Sequence, residues 1–273
     1  MTHKDLANAP LGHSVTYPKT YDASVLFAID RATNRATLGP LPQWHGADIW
    51  TAYELSWLNP KGKPVVAMGL FTVPHSTPRL IESKSFKLYL NSFNESRFDS
   101  LDQVVGTMRK DLEAASGGPM GIEITPLRPH HSELCKGLDG TNIDGLDVEI
   151  THYRPAPGLL RCDPATLVTE TLASDLLKSN CPVTGQPDWG SVQITYTGPK
   201  IDPASLLQYI VSLRQHNEFH EHCVETMYCD IWRECKPAEL TVYARYTRRG
   251  GLDINPWRSS HPVQVGAQRT PRQ

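Results

Sequence analysis

The 273-residue sequence predicts an α+β fold of antiparallel sheets with helices on one face, built from two tandem ββααββ units. Three observations point there. Residues 48–74, DIWTAYELSWLNPKGKPVVAMGLFTVP, set two apolar-rich runs on either side of NPKGKP, whose Asn, Pro and Gly supply the turn angles of a hairpin. Leu101, Val104, Val105, Met108 and Leu112 recur at the spacing of one helix face, and SGG then supplies a stop, so a helix covers about 100–115. The second half of the chain runs through the same order of elements, although residue identities barely repeat between the halves.

In chain order, the hairpin is followed by residues 81–94, IESKSFKLYLNSFN, an apolar helical stretch whose Glu82, Lys84 and Lys87 read by themselves as a first-turn carboxylate and solvated charges. After the 100–115 helix, GIEITPL and GLDVEITHYRP (145–155) alternate apolar and polar residues as half-buried strands do. RPAPG interrupts the pattern. TLVTETLAS and SVQITYTG are then β-branched and alternating, with Val192, Ile194 and Tyr196 on one face. DPASLLQYIVSLRQ begins a helix with Asp202 as N-cap and Pro203 at its first position, and EFHEHCVETMYCDIWREC continues helically. A last strand holds Leu240, Val242, Ala244 and Tyr246 on one face and ends at RRGG. The expected division is an arm over 1–20, a first repeat over 21–155, a second over 156–260 and a polar tail over 261–273. Both arms are aperiodic, so their order depends on what they touch.

Composition narrows the function. With 27 basic and 29 acidic side chains, no overall field draws a nucleic-acid backbone or an anionic membrane. The first 20 residues hold no apolar signal region and no run reaches the roughly 20 apolar residues of a membrane span, so a cytoplasmic location is expected. Six cysteines without a C-x-x-C pair then read as reduced thiols, open to use as core residues, ligands or nucleophiles.

One stretch carries chemistry, SNCPVTGQPDWGSV (179–192). It has the Pro, Gly and Asp of a turn, but a cysteine is not a turn residue. Cys181 is a candidate nucleophile and Asp188, seven residues on, a candidate proton carrier; the alternative is a small buried apolar residue and a turn-capping aspartate. NEFHEHCVE (217–225) brings Glu218, His220, Glu221 and His222 to a helix start, where carboxylates are favoured by the helix dipole. His220, His222 and Cys223 are ligand types, but i and i+2 point to different helix faces and no H-E-x-x-H spacing occurs, so no metal site is expected. RRGGLDINP (248–256) pairs arginines with glycine backbone that a phosphate approaches closely, and the chain has no G-x-G-x-x-G fingerprint.

Taken together and in this order, ESKSFKLYLNSFN, SNCPVTGQPDWGSV, FHEHCVE and RRGGLDINP resemble the long form of the NADPH-dependent 7-cyano-7-deazaguanine reductases, the nitrile reductases of queuosine biosynthesis, over about residues 20–260. The resemblance implies the tunnelling fold (T-fold), present twice per chain, and a homodimer acting on a small deazaguanine nitrile with no direct nucleic-acid or membrane partner. It implies that Cys181 adds to the nitrile to give a covalent thioimide, that Asp188 donates the proton, and that two rounds of NADPH complete the reduction to the aminomethyl product. It further implies that Glu221, beside His220, takes the donors of the deazaguanine ring, that Ile81, Glu82 and Ser83 close the substrate pocket, and that Ser83, Lys84, Arg249 and Gly250 hold NADPH. Two other readings remain on the residues alone: a metal-dependent cyclohydrolase or pterin enzyme of the same fold, and a purine-binding module in which Cys181 is inert.

Overall fold

The computed structural model describes residues 17–18, 20–127 and 135–273, so most of the expected N-terminal arm lies outside the described residues. Its elements are β1 (Ala28–Asp30), α1 (Arg31–Arg35), β2 (His45–Leu58), β3 (Pro64–Pro74), β4 (Arg79–Ile81), α2 (Ser83–Asn91), α3 (Leu101–Ser116), β5 (Gly121–Pro126), β6 (Thr141–Asn142), β7 (Cys162–Ser174), β8 (Lys178–Asn180), β9 (Pro187–Ile201), α4 (Pro203–Ser212), α5 (His220–Cys235), β10 (Glu239–Tyr246) and β11 (Leu252–Ser259). The chain divides into two compact units: one of residues up to Asn34, Ile49–Ser132 and Arg248–Asp253, the other of Arg35–Asp48, Glu133–Thr247 and Ile254–Gln273.

In the first unit β3 lies between β2 and β5. It pairs antiparallel with β5, with Phe71 opposite Ile122. Helix α2 is fastened to this sheet through Phe86, whose ring meets Trp50 and Phe71 edge-on at 5.2 and 5.1 Å. Helix α3 forms where its apolar spacing predicts, buries Val104, Met108 and Leu112, and is closed by Ser100 as N-cap and by left-handed Gly117. The small β1–β4 ladder, Ala28 opposite Ile81, delivers the chain to the start of α2.

In the second unit the strand order is β11-β10-β9-β7-β6, with β8 paired to β9. Leu172, Val192, Ile194, Tyr196, Leu240, Val242, Ala244 and Tyr246 share one core with Leu206, Leu207 and Ile210 of α4 and Val224, Met227 and Ile231 of α5. Burying each such aliphatic side chain contributes about 1.5–3 kcal/mol, and the period-2 and period-3.6 patterns leave no other way to bury all of them at once. The helices therefore cover one face. The opposite face is polar, with hydroxyl pairs Thr169–Thr197 and Thr171–Thr195, each at 3.0 Å. Asp202 caps α4 through Ala204 and Ser205, with Pro203 at the first position, as expected.

Two expectations need correcting. Residues 145–155 form no strand. Their alternation is met without a ladder: Val148 packs against the core, and the Glu149 carbonyl accepts from the Gln208 side chain at 3.0 Å. The chain also does not leave the sheet at RRGG, because LDINPWRS continues as β11, antiparallel to β10 with Thr241 opposite Ser259. RRGG is thus the connection between two strands. Apart from these, the mixed α+β architecture with predominantly antiparallel sheets is as predicted.

Candidate active site

The residues proposed from the sequence divide between the two units: Ile81, Glu82, Ser83, Lys84, Arg249 and Gly250 in the first, Cys181, Asp188, His220 and Glu221 in the second.

In the second unit β8 and β9 form a hairpin with Ser179 opposite Asp188. The Cys181 N–H donates to the Gln186 carbonyl at 2.9 Å, and the Gly185 N–H closes the loop onto the Cys181 carbonyl at 3.0 Å. Gly185 makes that closure at φ +67°, in the left-handed region that favours glycine. Because side chains alternate along a strand, the paired Ser179 and Asp188 share one face, and Cys181 follows one residue beyond β8. Both are buried, at 3% and 8% exposure. The turn therefore does what its composition predicts, and buries a thiol and a carboxyl at its base.

Helix α5 adds its first turn to this constellation. The His220 Nε2 lies 3.7 Å from the Asp188 Oδ1, and its ring packs edge-on against Tyr246 at 4.1 Å. Glu221 is buried in the same turn, where the helix N-terminus favours a negative charge. His222 Nε2 is 3.2 Å from the Thr37 hydroxyl. Nearby, burial and the neighbouring His222 push His216 down to about 4, and burial pushes the Glu218 carboxyl up to about 7. The remaining buried thiols are poor nucleophiles: burial pushes Cys223, Cys229 and Cys235 each up to about 12.

The first unit holds the other segments. Glu82 is the N-cap of α2 rather than a first-turn residue, its carboxylate accepting from the Lys84 and Ser85 backbones at 2.7 and 2.8 Å. Burial raises its pKa against those hydrogen bonds and the charge of Lys87. Ile81 is buried just before it. Gly250 and Gly251 take φ +60° and +76°, and a side chain on Gly250 would meet the Lys87 stem while one on Gly251 would meet the Glu54 carboxylate. Arg248 lies over the Tyr53 ring at 5.1 Å, and Tyr53 donates its hydroxyl to Asp253. A cavity of about 190 Å³ is lined by Glu54, Lys87, Asn91, Gly250 and Gly251, so α2 and the RRGG connection face one space.

Comparison with known proteins places this arrangement. Residues 17–124 match the family model "Nitrile reductase, 7-cyano-7-deazaguanine-reductase N-term", and residues 187–264 match "QueF-like protein". A Bordetella pertussis protein named NADPH-dependent 7-cyano-7-deazaguanine reductase is 57% identical over 98% of this chain and 99% of its own. The chain belongs to the 7-cyano-7-deazaguanine reductase family. Relatives of the same name from Bordetella avium (57% identical, covering 93% of this chain and 94% of that protein) and Chromobacterium violaceum (53%, 93% and 92%) agree. For a member of this reductase family, Ile81, Glu82, Ser83 and Lys84 fall in the first matched span and Asp188, His220, Glu221, Arg249 and Gly250 in the second, while Cys181 lies just before it. Sequence reasoning passed over Tyr246, which read only as core, and Glu54, whose approach to Gly251 has no local signature.

Proposed function

We propose that this chain reduces 7-cyano-7-deazaguanine to 7-aminomethyl-7-deazaguanine at the expense of two NADPH, in queuosine biosynthesis. The observation that carries the proposal is the hairpin that buries Asp188 with Cys181 just beyond its paired strand, and brings His220 to 3.7 Å from the Asp188 carboxyl. The thiolate of Cys181 attacks the electrophilic nitrile carbon. A carbon–sulfur bond forms, one nitrile π bond breaks, and Asp188 delivers its proton to the nitrogen, giving a thioimide on Cys181. Splitting the reduction this way trades one difficult step for easier ones. Overall, two hydrides and two protons convert the nitrile to the amine. Glu221, an acceptor-only carboxylate, takes two N–H donors of the pyrimidine edge, and His220 orients beside it. Ile81, Glu82 and Ser83 are the further substrate-binding residues of this reading.

NADPH supplies hydride when bound. The first unit offers it suitable chemistry: Ser83 and Lys84 open α2 with a hydroxyl and an ammonium, while Gly250 presents backbone that a phosphate approaches and Arg249 adds a guanidinium. The cavity of about 190 Å³ in this unit is lined by Gly250 and by Lys87, which follows Lys84 on α2. The same reading takes residues 21–155 and 156–260 as tandem T-fold repeats in a cytoplasmic homodimer; among the described residues no helix is long and apolar enough to cross a membrane.

The test is mass spectrometry of the protein mixed with the nitrile and no NADPH. One peptide containing Cys181 should gain the full ligand mass, and Cys181→Ala should abolish both adduct and turnover. An adduct on Cys223, or none, overturns the proposal.

A further inference from the structure

Residues 266–273 are polar and without period, yet they end in a closely bonded knot within the second unit. Gln273 is only 7% exposed. Its Oε1 accepts from the Arg245 Nε at 3.1 Å and from the Thr270 N–H at 3.0 Å, and its Nε2 donates to the Tyr246 carbonyl at 3.0 Å and to Asn255 Oδ1 at 2.7 Å. All four hydrogen-bonding positions of the amide are used, which a tail merely resting on the surface does not achieve. Arg272 donates to the Asp175 carbonyl and, at 3.3 Å, to the Gly190 carbonyl. Arg245 ties the same segment from the sheet side, through the carbonyls of Gly266 and Ala267 at 3.1 and 3.2 Å.

The two carbonyls held by Gln273 and Arg272 belong to residues paired across β9 and β10, Gly190 opposite Tyr246. Gly190 follows Asp188 by two residues. Tyr246 is the ring against which His220 packs at 4.1 Å. Two adjacent tail residues thus hold one backbone carbonyl two residues from Asp188 and another on the residue whose ring packs against His220.

We infer that Arg272 and Gln273 are positioning residues for Asp188 and His220, a strap that fixes the carboxyl relative to the thiol of Cys181. The inference rests on the proposal that Cys181 and Asp188 carry the first step. Asp188 stands near the beginning of β9, where the Thr247 N–H to Trp189 carbonyl and Gly190 N–H to Leu177 carbonyl bonds, at 2.8 and 2.9 Å, hold the strand beside it, and the tail contacts on Gly190 and Tyr246 brace that same stretch. Misplacing a reacting group by about 1 Å costs on the order of a hundredfold in rate, without a matching loss of binding.

The experiment uses the full chain carrying Gln273→Ala, Arg272→Ala or Arg272→Lys. The rate of nitrile addition to Cys181 at saturating nitrile is followed by quench and mass spectrometry. Nitrile affinity is measured in a Cys181→Ala background, and the thermal midpoint of each variant is recorded. Gln273→Ala and Arg272→Ala should slow adduct formation roughly ten- to a hundredfold while nitrile affinity changes less than threefold. Arg272→Lys should recover most of the rate, because an ammonium also donates to carbonyls. A purely structural role would lower the midpoint and leave the rate of the folded protein unchanged. Wild-type rates in both alanine variants overturn the strap while leaving the Cys181 proposal standing; absence of the adduct in the wild-type protein overturns both.

Discussion

Glu225 lies one helical turn beyond Glu221 on α5 and is 3% exposed. Burial pushes its carboxyl up, but Arg258 and Arg35 outweigh that cost and hold it at about 2. Arg258, fully buried, reaches Glu225 at 2.7 Å and Asp48 at 2.9 Å, and Arg35 reaches Glu225 at 2.8 Å. The fall from the ordinary value of 4.5 is worth about 3 kcal/mol at neutral pH. Glu225→Gln should therefore destabilise the protein by about 3 kcal/mol at pH 7, since it removes the carboxylate that both Arg35 and Arg258 reach. Because the folded value is depressed, this stability is complete well above 4.5 and is lost as pH falls toward about 2. At pH 3.5 about 1.4 kcal/mol of it should already be gone in the wild type and none in the variant. The assay is urea unfolding of both proteins at pH 7 and pH 3.5. A gap that stays constant between the two pH values, or a Gln variant as stable as the wild type, would refute the reasoning.

Other outcomes follow from the remaining groups. Asp188→Asn should spare nitrile binding and slow adduct formation by ~10²–10⁴-fold, as loss of a general acid does. Glu221→Gln, measured by equilibrium binding in the Cys181→Ala background, should weaken binding by about 1.5–3 kcal/mol; if instead Asp188→Asn loses binding and Glu221→Gln keeps it, the two roles are reversed. Arg249→Ala should raise the KM for NADPH more than that for the nitrile, and wild-type protein should strongly prefer NADPH to NADH; equal use of both nucleotides refutes the phosphate role. Burial holds the Glu218 carboxyl at about 7, so the wild type should lose stability as pH rises from its ordinary 4.5 toward 7. Glu218→Gln should remove that dependence, which unfolding midpoints across this range would test.

The elements legible in the sequence were those whose signal is local. Helix α3 declares itself by spacing, with Ser100 and Gly117 at its ends, and α4 by Asp202 and Pro203. The Cys181–Asp188 hairpin was legible as a turn for the same reason. What escaped depends on partners distant in sequence. Alternation in 145–155 satisfied a strand pattern, but its backbone is met by Gln208 on α4 rather than by a neighbouring strand. Residues 252–259, beyond the strand that ends at RRGG, carry no strand assignment from sequence, whereas pairing with β10 makes them one. Glu82 carried the right chemistry for a helix start, yet its place as N-cap is set by β4, whose pairing with β1 decides where α2 begins. The tail was opaque because each of its bonds reaches back across the chain: Gln273 to Tyr246, Arg272 to Asp175.

The hairpin of β8 and β9 also carries the candidate nucleophile and its acid on one short, continuous stretch of chain. Residues 178–189 carry both, held by three paired positions and a loop closed on itself. At the tip, Gly185 has no heavy atom within 4 Å of where a side chain would begin. Extra residues spliced in there would lengthen the loop into open space and leave the Ser179–Asp188 register as it stands. Such insertions offer a way to graft new substrate-contacting surface beside the thiol, whereas Glu221 and His220, rooted in α5, would have to be re-engineered separately.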